Sequence, residues 1–148
     1  MYRVGIGYDV HKIEEENELI LGGVLIPFHK GTVAHSDGDV VIHAICDAIL
    51  GAASLGDIGH FFPDNDDQYK DIDSKILLKE VFKMIEKLDY SIVNVDVSII
   101  LEEPKLKDHL SEMKFEISKC INVSEEDINI KATTSEKLGF IGRGEGVA

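Results

Sequence analysis

The stretch Ile92-Val93-Asn94-Val95-Asp96-Val97-Ser98-Ile99-Ile100-Leu101 alternates with period two. Val93, Val95, Val97, Ile99 and Leu101 fall on one side, and Asn94, Asp96 and Ser98 on the other. Successive strand side chains point to opposite faces, so this is a half-buried strand, ended by Glu102-Glu103-Pro104. Ile128 to Thr133 repeats the split, with Ile128, Ile130 and Ala132 against Asn129, Lys131 and Thr133. A polar second face shared by two strands is either solvated or packed on another subunit around an axis, with Asp96 and Lys131 as partners.

Outward from these strands the period changes to that of helices. Asp39 to Ser54 is apolar on most sides, with Val40, Val41, Ile42, Ala44, Ile45, Ala48, Ile49 and Ala52, except for a stripe of Asp39, His43 and Asp47. That pattern predicts a buried helix with a polar seam facing a site, N-capped by Ser36 or Asp37. A second helix, capped by Asp71 or Asp73, runs to about Leu88 with Ile76, Leu77, Val81, Met84, Ile85 and Leu88 inward. A third runs from about Lys105 to Ile121 with Leu106, Leu110, Met113, Ile117 and Ile121 inward. Near the N-terminus, Tyr2 to Tyr8 reads as a strand whose Gly5 and Gly7 allow another backbone to approach. Leu19-Ile20-Leu21, Gly22-Gly23 and Val24-Leu25-Ile26 read as a β-hairpin. Thr134 to Gly139 reads as one helical turn stopped by Gly139.

At 148 residues the chain is expected to be one domain, 1–148. Its formal charge of -13 argues against nucleic-acid binding, which rests on Lys and Arg neutralising phosphates. An acidic chain that binds an anion needs metal ions to supply positive charge. No apolar run approaches the roughly 20 residues that span a bilayer, and Met1-Tyr2-Arg3-Val4-Gly5 begins directly with strand-like sequence, so no membrane segment or targeting signal is expected. Cys46 and Cys120 lie in helical patterns beside apolar residues and read as reduced core residues, which suggests the cytosol.

Four constellations carry potential chemistry. Asp9 and His11, two apart on a strand, point to the same side, with Val10 directed into the core. His43 on the helix seam is the best third ligand; two imidazoles and a carboxylate suit zinc and leave a fourth position open. Asp39 and Asp47, one turn either side of His43, are candidate acceptors for its other ring nitrogen. The bland alternative is a surface His11 and a satisfied core His43. Glu136 with Thr133 and Thr134, following Lys131, suits a phosphate bridged by Mg²⁺ or Mn²⁺, or is simply a cap. Arg143 among glycines clamps phosphate or sits in a flexible tail. Glu102-Glu103-Pro104-Lys105 reads a base edge with free backbone groups, or is only a strand-to-helix turn. Gly5-Ile6-Gly7 is no dinucleotide fingerprint, because Val10 stands where the third glycine belongs.

Several runs stand together in a known order and spacing: Tyr8-Asp9-Val10-His11, His35-Ser36-Asp37-Gly38-Asp39, Gly56-Asp57-Ile58-Gly59, Phe62-Pro63-Asp64 and Asn94-Val95-Asp96. Lys131-Ala132-Thr133-Thr134, Glu136-Lys137-Leu138-Gly139-Phe140 and Gly142-Arg143-Gly144-Glu145-Gly146 complete the set. In these the chain resembles the 2-C-methyl-D-erythritol 2,4-cyclodiphosphate synthases of the non-mevalonate isoprenoid pathway, from residue 1 to 148. The resemblance implies an α+β subunit: a mixed β-sheet of about four main strands, helices packed on one face, and the other face toward the axis of a homotrimer. It implies active sites between subunits and room for an isoprenoid diphosphate at the axis. The implied substrate is 4-diphosphocytidyl-2-C-methyl-D-erythritol 2-phosphate, cyclised with release of CMP.

Residue by residue, the resemblance gives zinc to Asp9, His11 and His43, and Mg²⁺ or Mn²⁺ to Glu136. It gives catalytic roles to His35 and Thr134. Asp57, Ile58 and Gly59, with Phe62, Pro63, Asp64, Asn65 and Asp66, hold the methylerythritol part. Leu101, Glu102, Glu103, Pro104, Lys105, Leu106 and Lys107 form the cytidine pocket with Thr133. Phe140 and Arg143 complete the phosphate site, and substrate contacts extend to Val10, Ser36 and Ser135. Leu101, Glu102 and Glu103 are bulkier and more acidic than the small residues expected at those pocket positions. Family members usually continue past Gly146-Val147-Ala148 with a final apolar strand, which bears on the closing edge of the sheet and on stability.

Overall fold

The computed structural model describes residues 1–148. Its strands are β1 (His11–Glu15), β2 (Leu19–Leu21), β3 (Val24–Ile26), β4 (Lys30–Thr32), β5 (Val95–Ile100), β6 (Ile128–Thr133) and β7 (Gly146–Val147). Its helices are α1 (Val40–Ala52), α2 (Ile58–Phe61), α3 (Ser74–Glu86), α4 (Leu110–Ile121) and α5 (Gly139–Gly142). None is long and apolar enough to cross a membrane.

The two split-faced strands pair as parallel neighbours, from Val95 opposite Ile128 to Ile100 opposite Thr133. A parallel pair needs a long crossover, which α4 supplies. Ile99, Ile128 and Ile130 are buried, while Asp96 on the opposite face accepts from Asn129 and Lys131. β2 and β3 form the expected hairpin, with Leu21 opposite Val24 and both turn glycines at positive φ, 60° and 78°. β4, β1 and β7 form an antiparallel ladder. Ala148 exchanges both backbone bonds with Ile100, at 2.7 and 3.1 Å, which brings the end of β7 to the end of β5. The fold is mixed α+β, but its β-structure is divided among three small sheets instead of forming one sheet of about four main strands.

The core is a single apolar cluster. Ile42, Ile45, Cys46 and Leu50 of α1 meet Leu78, Val81 and Ile85 of α3 and Met113, Ile117 and Ile121 of α4. Cys46 and Cys120 are free and buried, as their apolar settings suggested.

Several expectations fail for definable reasons. Tyr2 to Tyr8 is not a strand: β1 begins at His11, and its ladder with β7 covers only His11 and Lys12. The segment instead lies with its glycines against α1. A Cβ on Gly5 would fall 1.8 Å from the Ala48 carbonyl oxygen, and one on Gly7 1.8 Å from that of Ala44. The close approach read from the glycines is therefore present, with α1 as the neighbour. Val4 and Ile6 consequently face outward, and Val10 is 40% exposed instead of entering the core. The cap of α1 is Asp39 itself, not Ser36 or Asp37. On α3, capped by Asp73, Leu78 is buried while Ile76 and Leu88 are exposed, so the inward face is rotated from that expected. α4 starts at Leu110 after a short 3₁₀ turn at Lys107–His109. Residues 134–138 form no helical turn, because Glu136 and Lys137 both adopt positive φ, 53° and 63°.

Candidate functional site

The end of the N-terminal segment and the second turn of α1 bring three ligand-type side chains together. Asp9 Oδ2 lies 2.9 Å from His11 Nε2 and 3.1 Å from His43 Nδ1, and the two ring nitrogens are 3.2 Å apart. Ligands about 2.0–2.1 Å from a tetrahedral ion sit roughly 3.3 Å from one another, so the three atoms already have the spacing of ligands around one ion. All three residues are half-buried. Burial pushes the Asp9 carboxyl up, but hydrogen bonds and charge from His11 and His43 outweigh it and hold the group well below the usual carboxylate range. Burial lowers the His43 pKa, yet the hydrogen bond and charge of Asp9, with the charges of Asp39 and Asp37, raise it overall. The donor set therefore fits a divalent cation.

The acidic stripe on α1 divides three ways. Asp39 does not reach the His43 ring. Its buried carboxylate accepts from Gly22 (2.9 Å), Gly23 (2.6 Å), Val41 and Ile42 (3.1 Å each), tying the hairpin turn to the start of α1. Asp47 accepts from the Ile58 amide at 2.7 Å and anchors α2. The far nitrogen of His43, Nε2, instead faces Ser74 Oγ at 2.8 Å and Ser36 Oγ at 3.3 Å. Ser74 in turn donates to Asp37. Sequence reasoning missed Ser74 and Asp37 in this role, because Ser74 reads only as the first residue of a helix.

The loop after α1 is shaped by its own carboxylates. Asp57 caps α2 through His60 N, and Asp66 caps the turn at Asp67–Tyr69. The Phe62 and Tyr69 rings meet edge-on, with centroids 5.5 Å apart, while Asp64 and Asn65 are exposed. His35 Nε2 lies 3.0 Å from the Asp66 carbonyl, joining this loop to Ser36 beside the histidine cluster.

The remaining expected site residues gather elsewhere. Leu101 and Leu106 are core residues, and the Leu101 amide donates to the Thr133 carbonyl at 2.9 Å. Glu102 holds the loop after β6: its Oε1 accepts from Ser135 N (2.9 Å), Ser135 Oγ (3.1 Å) and Lys137 N (3.2 Å). That clamp straddles Glu136, which projects from an exposed left-handed turn next to exposed Thr133 and Thr134. Arg143 is ion-paired with Glu145 at 2.9 and 3.2 Å. A cavity of about 200 Å³ opens between Leu101, Glu102 and Glu103 on one side and Lys137, Gly142 and Arg143 on the other. No hydrogen bond or ion pair joins this group to the Asp9–His11–His43 cluster.

The family model described as the YgbB family matches residues 2–148. The 2-C-methyl-D-erythritol 2,4-cyclodiphosphate synthase of Haemophilus ducreyi is 54% identical over 148 residues, covering 100% of this chain and 92% of the relative. The structure of the bifunctional IspDF from Campylobacter jejuni superposes with a TM-score of 0.94 at 46% identity, covering 98% of this chain and 39% of that one. A CDP complex of IspF from Plasmodium falciparum superposes with a TM-score of 0.85 at 40% identity, covering 98% of this chain and 89% of that one. Matched from Tyr2 to Ala148, the chain belongs to the YgbB family.

Proposed function

We infer that this protein is a cyclising phosphorus–oxygen lyase of non-mevalonate isoprenoid precursor biosynthesis. It converts 4-diphosphocytidyl-2-C-methyl-D-erythritol 2-phosphate to 2-C-methyl-D-erythritol 2,4-cyclodiphosphate plus CMP. The observation that carries this reading is the convergence of Asp9, His11 and His43 in a chain that matches its family from residue 2 to residue 148.

An oxygen of the substrate's 2-phosphate attacks the β-phosphorus, the bond from that phosphorus to the oxygen of the α-phosphate breaks, and the electron pair leaves with CMP. The nucleophile belongs to the substrate, which accounts for a site built from ligands and hydrogen-bond donors alone. Phosphoryl transfer of this kind depends on in-line positioning and charge stabilisation. Asp9, His11 and His43 would hold a Zn²⁺ ion, and Glu136 in the exposed turn after β6 would help hold Mg²⁺ or Mn²⁺. When bound, these ions neutralise phosphate charge that a protein of formal charge -13 otherwise repels. His35 and Thr134 position the reacting phosphates, with Ser36, Ser135, Phe140 and Arg143 beside them. Asp57 to Gly59 and Phe62 to Asp66 hold the methylerythritol part. Backbone groups of the 101–107 turn read the cytosine, since the Glu102 carboxylate is committed to the loop after β6.

The chain acts as one domain in a homotrimer. The 133–143 group of one subunit and the Asp9–His11–His43 group of its neighbour together complete a site, which explains why they stand apart within a single chain. Incubation with the substrate and Mg²⁺ tests the reaction. Phosphorus NMR is expected to show CMP and the cyclic diphosphate; CMP with a linear phosphate would identify a hydrolase and overturn the reading.

A further inference from the structure

We propose that Ser74 and Asp37 are positioning residues for the metal centre, forming a relay that fixes the orientation and tautomer of His43. This inference rests on the reading that Asp9, His11 and His43 bind a metal.

The hydrogen positions follow from what each group can donate. Asp37 accepts from the Ser74 amide at 2.8 Å, from the Ser74 hydroxyl, and from the Asp39 amide at 3.1 Å. A carboxylate only accepts, so the single hydroxyl proton of Ser74 goes to Asp37. The Ser74 oxygen is then an acceptor, and His43 Nε2, 2.8 Å away, must carry a hydrogen. That leaves the lone pair of the ligating imidazole on Nδ1, the nitrogen 3.1 Å from Asp9 and 3.2 Å from His11.

The relay is built into the scaffold. Ser74 is fully buried and is the first residue of α3, and Asp39 is the cap of α1. Through its bonds to both amides, Asp37 locks the starts of the two helices together, and the His43 ring is held where they meet. Ser36 Oγ, 3.3 Å from Nε2, is too distant to replace the Ser74 contact on equal terms.

Zn²⁺ affinity, measured by competition with a chromophoric chelator, tests this without reference to turnover. Ser74→Ala is expected to weaken Zn²⁺ binding about 10–100-fold, as loss of an acceptor behind a ligating histidine typically does. Because the lost hydroxyl is buried between Asp37 and His43, the metal-free variant is also expected to unfold at a lower midpoint, so affinity is read where circular dichroism shows both proteins folded. Ser74→Thr, which keeps the hydroxyl, is expected to recover most of the affinity. Nitrogen NMR of the zinc-loaded wild type should show His43 protonated at Nε2. His43→Ala separates the two layers. If it binds Zn²⁺ normally, the metal reading itself fails. If it loses Zn²⁺ while folded Ser74→Ala binds as tightly as the wild type, the relay is wrong. Should Ser74→Ala unfold, Asp37→Asn takes its place, and undiminished affinity there overturns the proposal equally.

Discussion

Replacing Asp39 with asparagine removes a charge buried between the hairpin turn and the start of α1. The carboxylate is fully buried and accepts four backbone amides. Burial pushes its pKa up from 3.8 to about 6, although the amides oppose that shift. The folded protein therefore binds this proton more tightly than the unfolded chain. Stability from this group grows as pH falls from about 6 toward 4 and is lost as pH rises through about 6. The pKa difference corresponds to about 3 kcal/mol over the full window, of which about 1.4 kcal/mol falls between about pH 7 and about pH 5. The Asp39→Asn variant cannot titrate there. It carries instead a pH-independent cost of about 1–3 kcal/mol, because its amide group turns a donor toward a backbone N–H. Urea unfolding of the metal-free wild type and variant at both pH values measures the effect together with the part of the His43 shift that the Asp39 charge supplies. Raised in the fold, the His43 pKa stabilises below its ordinary value and loses that stability at higher pH; the variant lacks the Asp39 charge that contributes to this shift, so His43 adds to the wild type's gain in the same direction, while lowered Asp9 acts only in more acidic solution. On acidification the wild type should gain at least about 1.4 kcal/mol more than the variant, the Asp39 part alone. Equal pH dependence in the two would refute a charge held under strain at Asp39.

Gly7→Ala would place a methyl group against the Ala44 carbonyl oxygen, so it should destabilise the fold by about 1–3 kcal/mol and weaken Zn²⁺ binding as Asp9 shifts; calorimetry and chelator competition check both. Glu102→Ala frees the Ser135 and Lys137 amides, and hydrogen exchange there should rise while amides of α1 stay protected. Light scattering should give a mass three times the 16.4 kDa of the chain. A fully active monomer would remove the basis for a site shared between subunits.

What the sequence disclosed followed the range of the interaction. The hairpin was legible because Gly22-Gly23 is a local signal, and the β5 and β6 faces because alternation is local. The candidate cluster of Asp9, His11 and His43 was legible as chemistry, but the acceptor behind His43 was not. Asp39 and Asp47 had the right spacing along α1, yet buried amides at Gly22, Gly23 and Ile58 claimed them first. Ser74 reaches His43 only because α1 and α3 start side by side. Tyr2 to Tyr8 had strand composition, but a strand needs a paired neighbour, and composition does not supply one. Residues 134–138 were misread for the same reason. Their left-handed turn is set by Glu102, more than thirty residues earlier in the chain.

In the proposed reaction the oxygen attacking phosphorus comes from the substrate, and the protein supplies ligands and position. A single turnover in water enriched in heavy oxygen, followed by mass spectrometry of both products, tests this most directly. The expected result is CMP and a cyclic diphosphate of unchanged mass. A heavy oxygen in CMP, or in a linear phosphate product, would show that water is the nucleophile and would contradict the account.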